Sequence, residues 1–372
     1  MPVHDYYGKN IAVRIEGGSH SPEMTLTFDG LPAGLSLDKE RLREIMERRR
    51  PGKNAWSTAR QEEDRPVFVS GLEDGMTDGK TLVVRIRNYD MRPGDYKDFA
   101  DVPRPGHADY PARMKYGPDV DLSGGGHYSG RLTSLLCVAG EICRQNLERK
   151  GVYIGAHIER IHTVLDRPFP AVGLTKEELR RPGSAAFPVL EESAGEWMKK
   201  EIELARENRD SVGGIIECAA TGLPLGLGTH MFDSLESRVS SAMFAIPGVK
   251  GVSFGEGFRA ASLFGSENND GYYTDGKEVF FASNHAGGVL GGMSTGMPLV
   301  VHVAIKPTPT IAREQDSVSL SRMENVKLNC AGRHDPCIVP RAVPVTESVL
   351  ALALFDLFLD GEGTVGKQER TE

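Results

Sequence analysis

Gly124-Gly125-Gly126-His127-Tyr128-Ser129-Gly130-Arg131, running directly into Thr133 to Lys150, is the stretch on which the reading of this chain turns. Consecutive glycines let backbone N–H groups face a ligand, Ser129 and Arg131 add donors, and a helix start adds positive partial charge. The pattern predicts an anion cradle at the head of a helix. The helix itself is amphipathic, with Leu135, Leu136, Val138, Ala139, Ile142 and Leu147 apolar and Gly151 as its C-terminal cap. Gly124, Gly126 and Gly130 do not fit a GxGxxG dinucleotide fingerprint. Gly79-Lys80-Thr81 is no P-loop, because Asp74 stands where the first glycine belongs and a strand-like run follows.

Outward from this loop lie further Gly-rich segments bearing His or Arg: Gly17-Gly18-Ser19-His20, Arg104-Pro105-Gly106-His107-Ala108-Asp109-Tyr110, Ser283-Asn284-His285-Ala286-Gly287-Gly288 and Gly332-Arg333-His334-Asp335-Pro336-Cys337. Arg48-Arg49-Arg50-Pro51-Gly52 and Lys306-Pro307-Thr308-Pro309-Thr310 add cations and hydroxyls on stiff backbone. A single histidine in such a turn is most simply a hydrogen-bonded structural residue, and the arginine run most simply a solvated helix end. Segments so far apart can act jointly only by converging in space, which points to one site closed by the whole chain.

Two stretches look like copies: Gly17-Gly18 leading to Gly30-Leu31-Pro32-Ala33-Gly34-Leu35, and Gly213-Gly214 leading to Gly222-Leu223-Pro224-Leu225-Gly226-Leu227. In each, a helix-like segment follows and ends near Pro51-Gly52 or Pro247-Gly248, so an internal duplication is expected. Leu37 to Arg50 reads as a helix with Asp38 as N-cap, and Thr81 to Ile86 and Leu299 to Ile305 read as strands. Arg160 to about Arg209 turns polar and Pro-punctuated, as a connection between halves would. Thr346 to Leu359 is apolar nearly all round, so it must be buried in a core or against another subunit, and 361–372 reads as a disordered tail. Strands and helices mix without a strict βαβ rhythm.

The chain has 372 residues, 39% of them apolar, and 44 basic against 52 acidic residues leave a net charge of −8. No dense basic stretch is interleaved with aromatics, which argues against a nucleic-acid partner. No basic segment followed by an apolar run opens the chain, and Val349 to Leu359, broken by Asp356, falls short of the roughly 20 residues that span a bilayer. A soluble, cytoplasmic protein without a membrane partner is expected. Five cysteines without CxxC spacing fit free thiols in a reducing compartment. His20, His107 and His127 lack the tight spacing of a zinc motif, so no metal is expected.

In this order the segments make the chain resemble the chorismate synthase family from about Gly8 to about Asp360. The resemblance implies a layered α+β sandwich of antiparallel β-sheets and helices, one domain over 1–360 with pseudo-repeats at about 8–160 and 210–345, assembled as a homotetramer. It implies anti-1,4-elimination of phosphate from 5-enolpyruvylshikimate 3-phosphate (EPSP), giving chorismate with reduced FMN (FMNH2). Some members reduce that flavin themselves with NADPH. By matched position His20 and His107 are proton donors, the first toward reduced flavin and the second toward the leaving phosphate, and Asp335 relays the proton removed from the substrate. Ser129, Pro247, Gly248, Gly291, Lys306, Pro307, Thr308, Pro309, Thr310 and Arg333 match cofactor-binding positions, and Ser19, Arg48, Arg49, Arg104 and Arg131 match substrate-binding ones. Three positions depart from the family pattern: Gly18 replaces a glutamate, His127 an arginine with Tyr128 after it, and Ala55 a second arginine. A binding-only relative, or a lyase on a related phosphate ester, is the alternative; retention of His20, His107, Arg131, Arg333 and Asp335 favours the enzyme.

Overall fold

Alternation builds the first sheet. Val13 and Ile15 in Ala12–Glu16, and Met24, Leu26 and Phe28 in Glu23–Asp29, are buried while their neighbours face outward, so each strand lays one face on the core. In the computed structural model, which describes residues 4–52, 56, 62–90, 99, 101–330 and 335–361, these strands are β2 and β3, preceded by β1 (His4–Tyr7). Helix α1 (Lys39–Arg49) follows, with the Asp38 carboxylate accepting from the Glu40 and Arg41 N–H groups. Next come β4 (Pro66–Ser70), a hairpin of β5 (Leu72–Glu73) and β6 (Met76–Thr77), and β7 (Leu82–Arg87). The sheet is antiparallel in the order β1-β2-β3-β7-β4.

Helices α2 (Asp109–Tyr116) and α3 (Thr133–Arg149) lead to β8 (Tyr153–Ile161), β9 (Val164–Leu165), α4 (Lys176–Arg180), α5 (Glu192–Glu207), β10 (Gly214–Thr221), α6 (Leu235–Met243) and β11 (Val249–Phe254). An excursion holds α7 (Gly265–Asn268), the hairpin β12 (Tyr272–Thr274) and β13 (Val279–Phe281), and the hairpin β14 (Val289–Leu290) and β15 (Met293–Ser294). The chain then runs through β16 (Leu299–Ile305), the ribbon β17 (Glu314–Ser319) and β18 (Glu324–Asn329), and α8 (Val339–Gly361). The second sheet, β11-β16-β10-β8-β9, is also antiparallel. Between the sheets, α3 touches β3, α8 lies on β8 and β10, and α1 and α6 flank the α3–α8 pair, all within one apolar core.

The two stretches read as copies share a local structure. β3 pairs with β7 and β10 with β16, and in each half a short hairpin closes on the Gly-Leu-Pro turn. Gly34 N–H donates to the Thr77 carbonyl at 2.8 Å and Gly226 N–H to that of Ser294 at 2.8 Å. The Thr77 hydroxyl accepts from Leu35 N–H and donates to Pro32 O, and the Ser294 hydroxyl does the same with Leu227 and Pro224.

Two expectations change. The polar Arg160 to Arg209 stretch is a layer more than a linker: α4 covers β8 over a small core of Phe169, Leu174, Leu179, Leu190 and Ala219, and α5 packs beside β8 and β9 with Met198 and Ile202 in the main core. Helix α8 begins at Val339, seven residues before Thr346, and carries Pro344 inside it. By length and composition α8 suits a membrane, but 89% of its apolar window is buried in the protein, as in a core helix. Beyond Gly361 the expected tail lies outside the described residues.

Candidate active site

The loop before α3 is built by its glycines. Gly124, Gly125 and Gly126 have φ of 63°, 118° and 50°, a region where side chains are strained. A Cβ on Gly126 would stand 2.1 Å from the Asp121 carbonyl oxygen, and one on Gly124 would stand 2.6 Å from the His20 ring. Ser19 is buried beneath and fastens its segment to the loop, its N–H donating to Gly126 O and its hydroxyl to Ser123 O at 2.9 Å. Asn88 extends the tie: its amide donates to Gly18 O and Ser21 O and accepts from Arg131 Nε at 3.0 Å.

The arginines divide. Arg49 donates to Asp64 at 2.8 Å and to Gly130 O at 2.7 Å, and Arg131 pairs with the same Asp64. Burial would raise the Asp64 carboxyl, but the two guanidiniums outweigh it and hold it below the usual range. Arg48 turns away to a fork with Glu347 at 2.7 and 2.8 Å. Arg104 is buried against Asp109. Arg333 and Ala55 lie outside the described residues.

A cavity of about 820 Å³ opens above the loop. It brings together His20, His107, Asp335, Ser129, Arg49 and Arg131 with Pro247, Gly248 and the whole run from Lys306 to Thr310. Ser19, Arg48, Arg104 and Gly291 do not line it; Gly291 sits in the β14–β15 turn. Ser283 to Gly288 does not reach it either, the His285 and Ala286 N–H groups being held by Asp270. Lys306 Nζ donates to Gly106 O at 2.5 Å, joining the His107 segment to the exit of β16. Burial first, then Lys250, pulls the Lys306 ammonium below its usual range. His127 is hydrogen-bonded to the Gly17 backbone, and burial lowers its pKa.

Sequence reasoning missed Arg341. It lines the cavity, donates to Asp335 at 2.6 Å and reaches the Arg49 carbonyl at 3.2 Å. The available signal was its place six residues after Asp335, between two prolines at the head of an apolar helix. Among the described residues no group of three or more His, Cys, Asp or Glu is arranged to hold a metal ion.

A chorismate synthase family model matches residues 11–359. A chorismate synthase of Pyrococcus abyssi is 45% identical over 353 residues, covering 95% of this chain and 97% of that protein. One of Lancefieldella parvula is 42% identical over 361 residues, covering 94% and 95%. A crystal structure of chorismate synthase superposes with a TM-score of 0.75 at 28% identity, over 96% of this chain and 94% of its own. A match running through both sheets, the helical layer and the glycine loop places this chain in the chorismate synthase family.

Proposed function

We propose that the protein converts EPSP to chorismate by anti-1,4-elimination of phosphate and a ring hydrogen, with reduced FMN bound in the 820 Å³ cavity. The observation that carries this is the opening of His20, His107 and Asp335 on one cavity, although they lie over 300 residues apart at the extremes. The cavity suits a flat cofactor with a phosphate tail. Part of its lining is apolar, with Val13, Ile15, Leu136, Ile246 and Val345. Another part carries Ser129, Lys306 and the Thr308 Oγ1, a buried hydroxyl without a hydrogen-bond partner among the described residues. Ser129, Pro247, Gly248 and Lys306 to Thr310 would hold the flavin, joined by Arg333 and Gly291 on the strength of matched position. When bound, reduced flavin lends electron density to the substrate as its phosphate leaves.

The chain's own groups position the substrate and move protons. Arg49, Arg131, Lys306 and Arg341 surround the cavity with positive charge suited to a phosphate and two carboxylates. Ser19 fixes the His20 segment from beneath, and Arg48 and Arg104 support the clamp through Glu347 and Asp109. Through its outward ring nitrogen His107 gives a proton to the departing phosphate, and His20 serves the flavin side. Asp335, held by Arg341, takes the proton that leaves the ring.

A homotetramer in the cytoplasm completes the proposal. Phe258 and Phe264, with Tyr272 and Tyr273 of β12, are exposed along the excursion between β11 and β16, and such a patch on a soluble protein calls for a covering surface. All five cysteines are free and buried.

The test is phosphate release from EPSP under strictly anaerobic conditions with chemically reduced FMN, oxidised FMN, FMN plus NADPH, or no flavin. Release that needs reduced FMN and yields chorismate is expected; release without flavin, or none from any arm, would overturn the assignment. His107→Ala should lower kcat by about 10²–10⁴-fold while FMN still binds.

A further inference from the structure

His107 does not stand alone. Asp109, two residues on and 1% exposed at the head of α2, receives Arg104 Nε on Oδ2 at 2.7 Å, Arg104 Nη2 on Oδ1 at 2.8 Å and the Arg104 backbone N–H on Oδ2 at 3.0 Å. Its Oδ1 also lies 2.6 Å from His107 Nδ1. We propose that Asp109 is a positioning residue for His107, a carboxylate locked by Arg104 that accepts the Nδ1 proton and so commits Nε2 to the cavity.

The geometry leaves Nδ1 one partner. Arg104 Nη2 lies 3.3 Å from it, but a guanidinium nitrogen has no lone pair to offer, so the Nδ1 proton goes to Asp109. Four donors on two oxygens saturate the carboxylate and remove its freedom to swing. Arg104 is itself clamped, its guanidinium 4.7 Å from the centre of the Phe99 ring. On the far side of the imidazole, Nε2 is the atom nearest to where a Cβ on Gly125 would sit, at 3.4 Å. Lys306 pins the backbone between them through Gly106 O. The ring is therefore held at one nitrogen, and any proton it gives or takes passes through the other. Burial alone would raise the Asp109 carboxyl, yet the bonds from Arg104 and His107 hold it well below the usual range, so it stays a carboxylate.

This role rests on His107 handling a proton in the elimination proposed above. The experiment compares Asp109→Asn, His107→Ala and the double variant in anaerobic EPSP turnover with reduced FMN, alongside ¹⁵N-imidazole NMR of ¹⁵N-histidine-labelled protein. An asparagine can turn its amide N–H₂ toward Nδ1 and favour the other tautomer. Asp109→Asn should lower kcat by about 10²-fold, within the range of a proton-transfer contribution, with KM little changed. The double variant should be no slower than His107→Ala, and in Asp109→Asn the His107 signals should lose the Nδ1 proton that the wild type carries, leaving protonation at Nε2 alone. Wild-type kcat in Asp109→Asn, or a further loss in the double variant, would overturn the proposal. The wild-type spectrum stands by itself if Asp109→Asn fails to fold: His107 protonated only at Nε2 would overturn it too. Full turnover in His107→Ala would instead refute the reading of His107 as a proton donor, a separate failure because the spectrum still judges the hydrogen bond.

Discussion

Arg131 is 5% exposed, and its donors go to Asp64 and Asn88, with Glu62 at 3.6 Å. It therefore holds the glycine loop to the β7 end of the first sheet as well as lining the cavity. Asp64 keeps Arg49 when Arg131 is removed, so Arg131→Ala takes away charged hydrogen bonds without stranding the carboxylate and should cost about 1–3 kcal/mol of stability, read by urea unfolding, besides weakening ligand binding. Unchanged stability with lost affinity for FMN and EPSP would show that ligand contact is its whole role. Residue types were legible in the sequence here and pairings were not. Arg48, Arg49, Arg104 and Arg131 all look like anion donors, yet Arg48 meets Glu347 at a separation of 299 residues, and Arg104 meets Asp109 inside its own segment. Periodicity carries no information on which carboxylate a cation will find. The histidines fared differently because each stands beside glycines that only a close approach would demand: Gly124 lies against His20 and Gly125 against His107.

At the scale of elements, the α3–α8 pair decides how the layers close. Gly140 marks the crossing: a Cβ there would lie 2.2 Å from the Ser348 carbonyl oxygen and 2.5 Å from its Cα. That contact is with backbone, which cannot rotate away, so Gly140→Ala must push the helices apart. We expect overpacking to cost about 1–3 kcal/mol despite alanine's better helix propensity, seen as a lowered urea midpoint. A rise in stability would mean that the helices separate freely. Helix α3 was visible from its apolar stripe, but the stripe understates it: Glu141, Gln145 and Asn146 are buried too, because a sheet or helix lies on nearly every side of a middle layer. Glu141 survives there by pairing with Arg144 at 2.7 Å, and Gln145 by exchanging hydrogen bonds with the Asp38 backbone. The start of α8 was hidden by its prolines. Pro340 stands in the first turn, where its missing N–H costs no intrahelical bond, and Pro344 lies inside a helix that is buried against α3 and the second sheet.

For the molecule as a whole, the shared turn of the two halves suggests the duplication that the repeated Gly-Leu-Pro segments led us to expect, and we propose it as the origin of the paired sheets. What distinguishes the second half is the cover that the Arg160 to Arg209 stretch lays over its sheet, and His157 is the pin of that cover. His157 on β8 is fully buried between Glu217 of β10 at 2.6 Å and Asp166 at 3.2 Å. Asp166 in turn accepts from the Leu190 and Glu191 N–H groups just before α5, in the middle of the covering segment. Burial alone would lower the His157 pKa, but the hydrogen bonds that its ring donates to Asp166 and Glu217 outweigh it and raise it above 6.5. A group that binds its proton more tightly when folded stabilises the fold fully below its unfolded pKa of about 6.5, and that stabilisation is lost as pH rises through the higher folded value. His157→Gln, neutral at every pH, removes this dependence. Urea midpoints of the wild type should therefore fall more steeply than those of His157→Gln as pH is raised from about 6.5, the two curves converging at the alkaline end. Parallel curves would mean that His157 holds its proton no more tightly in the fold than in the unfolded chain, and that its charge does not help fasten the cover.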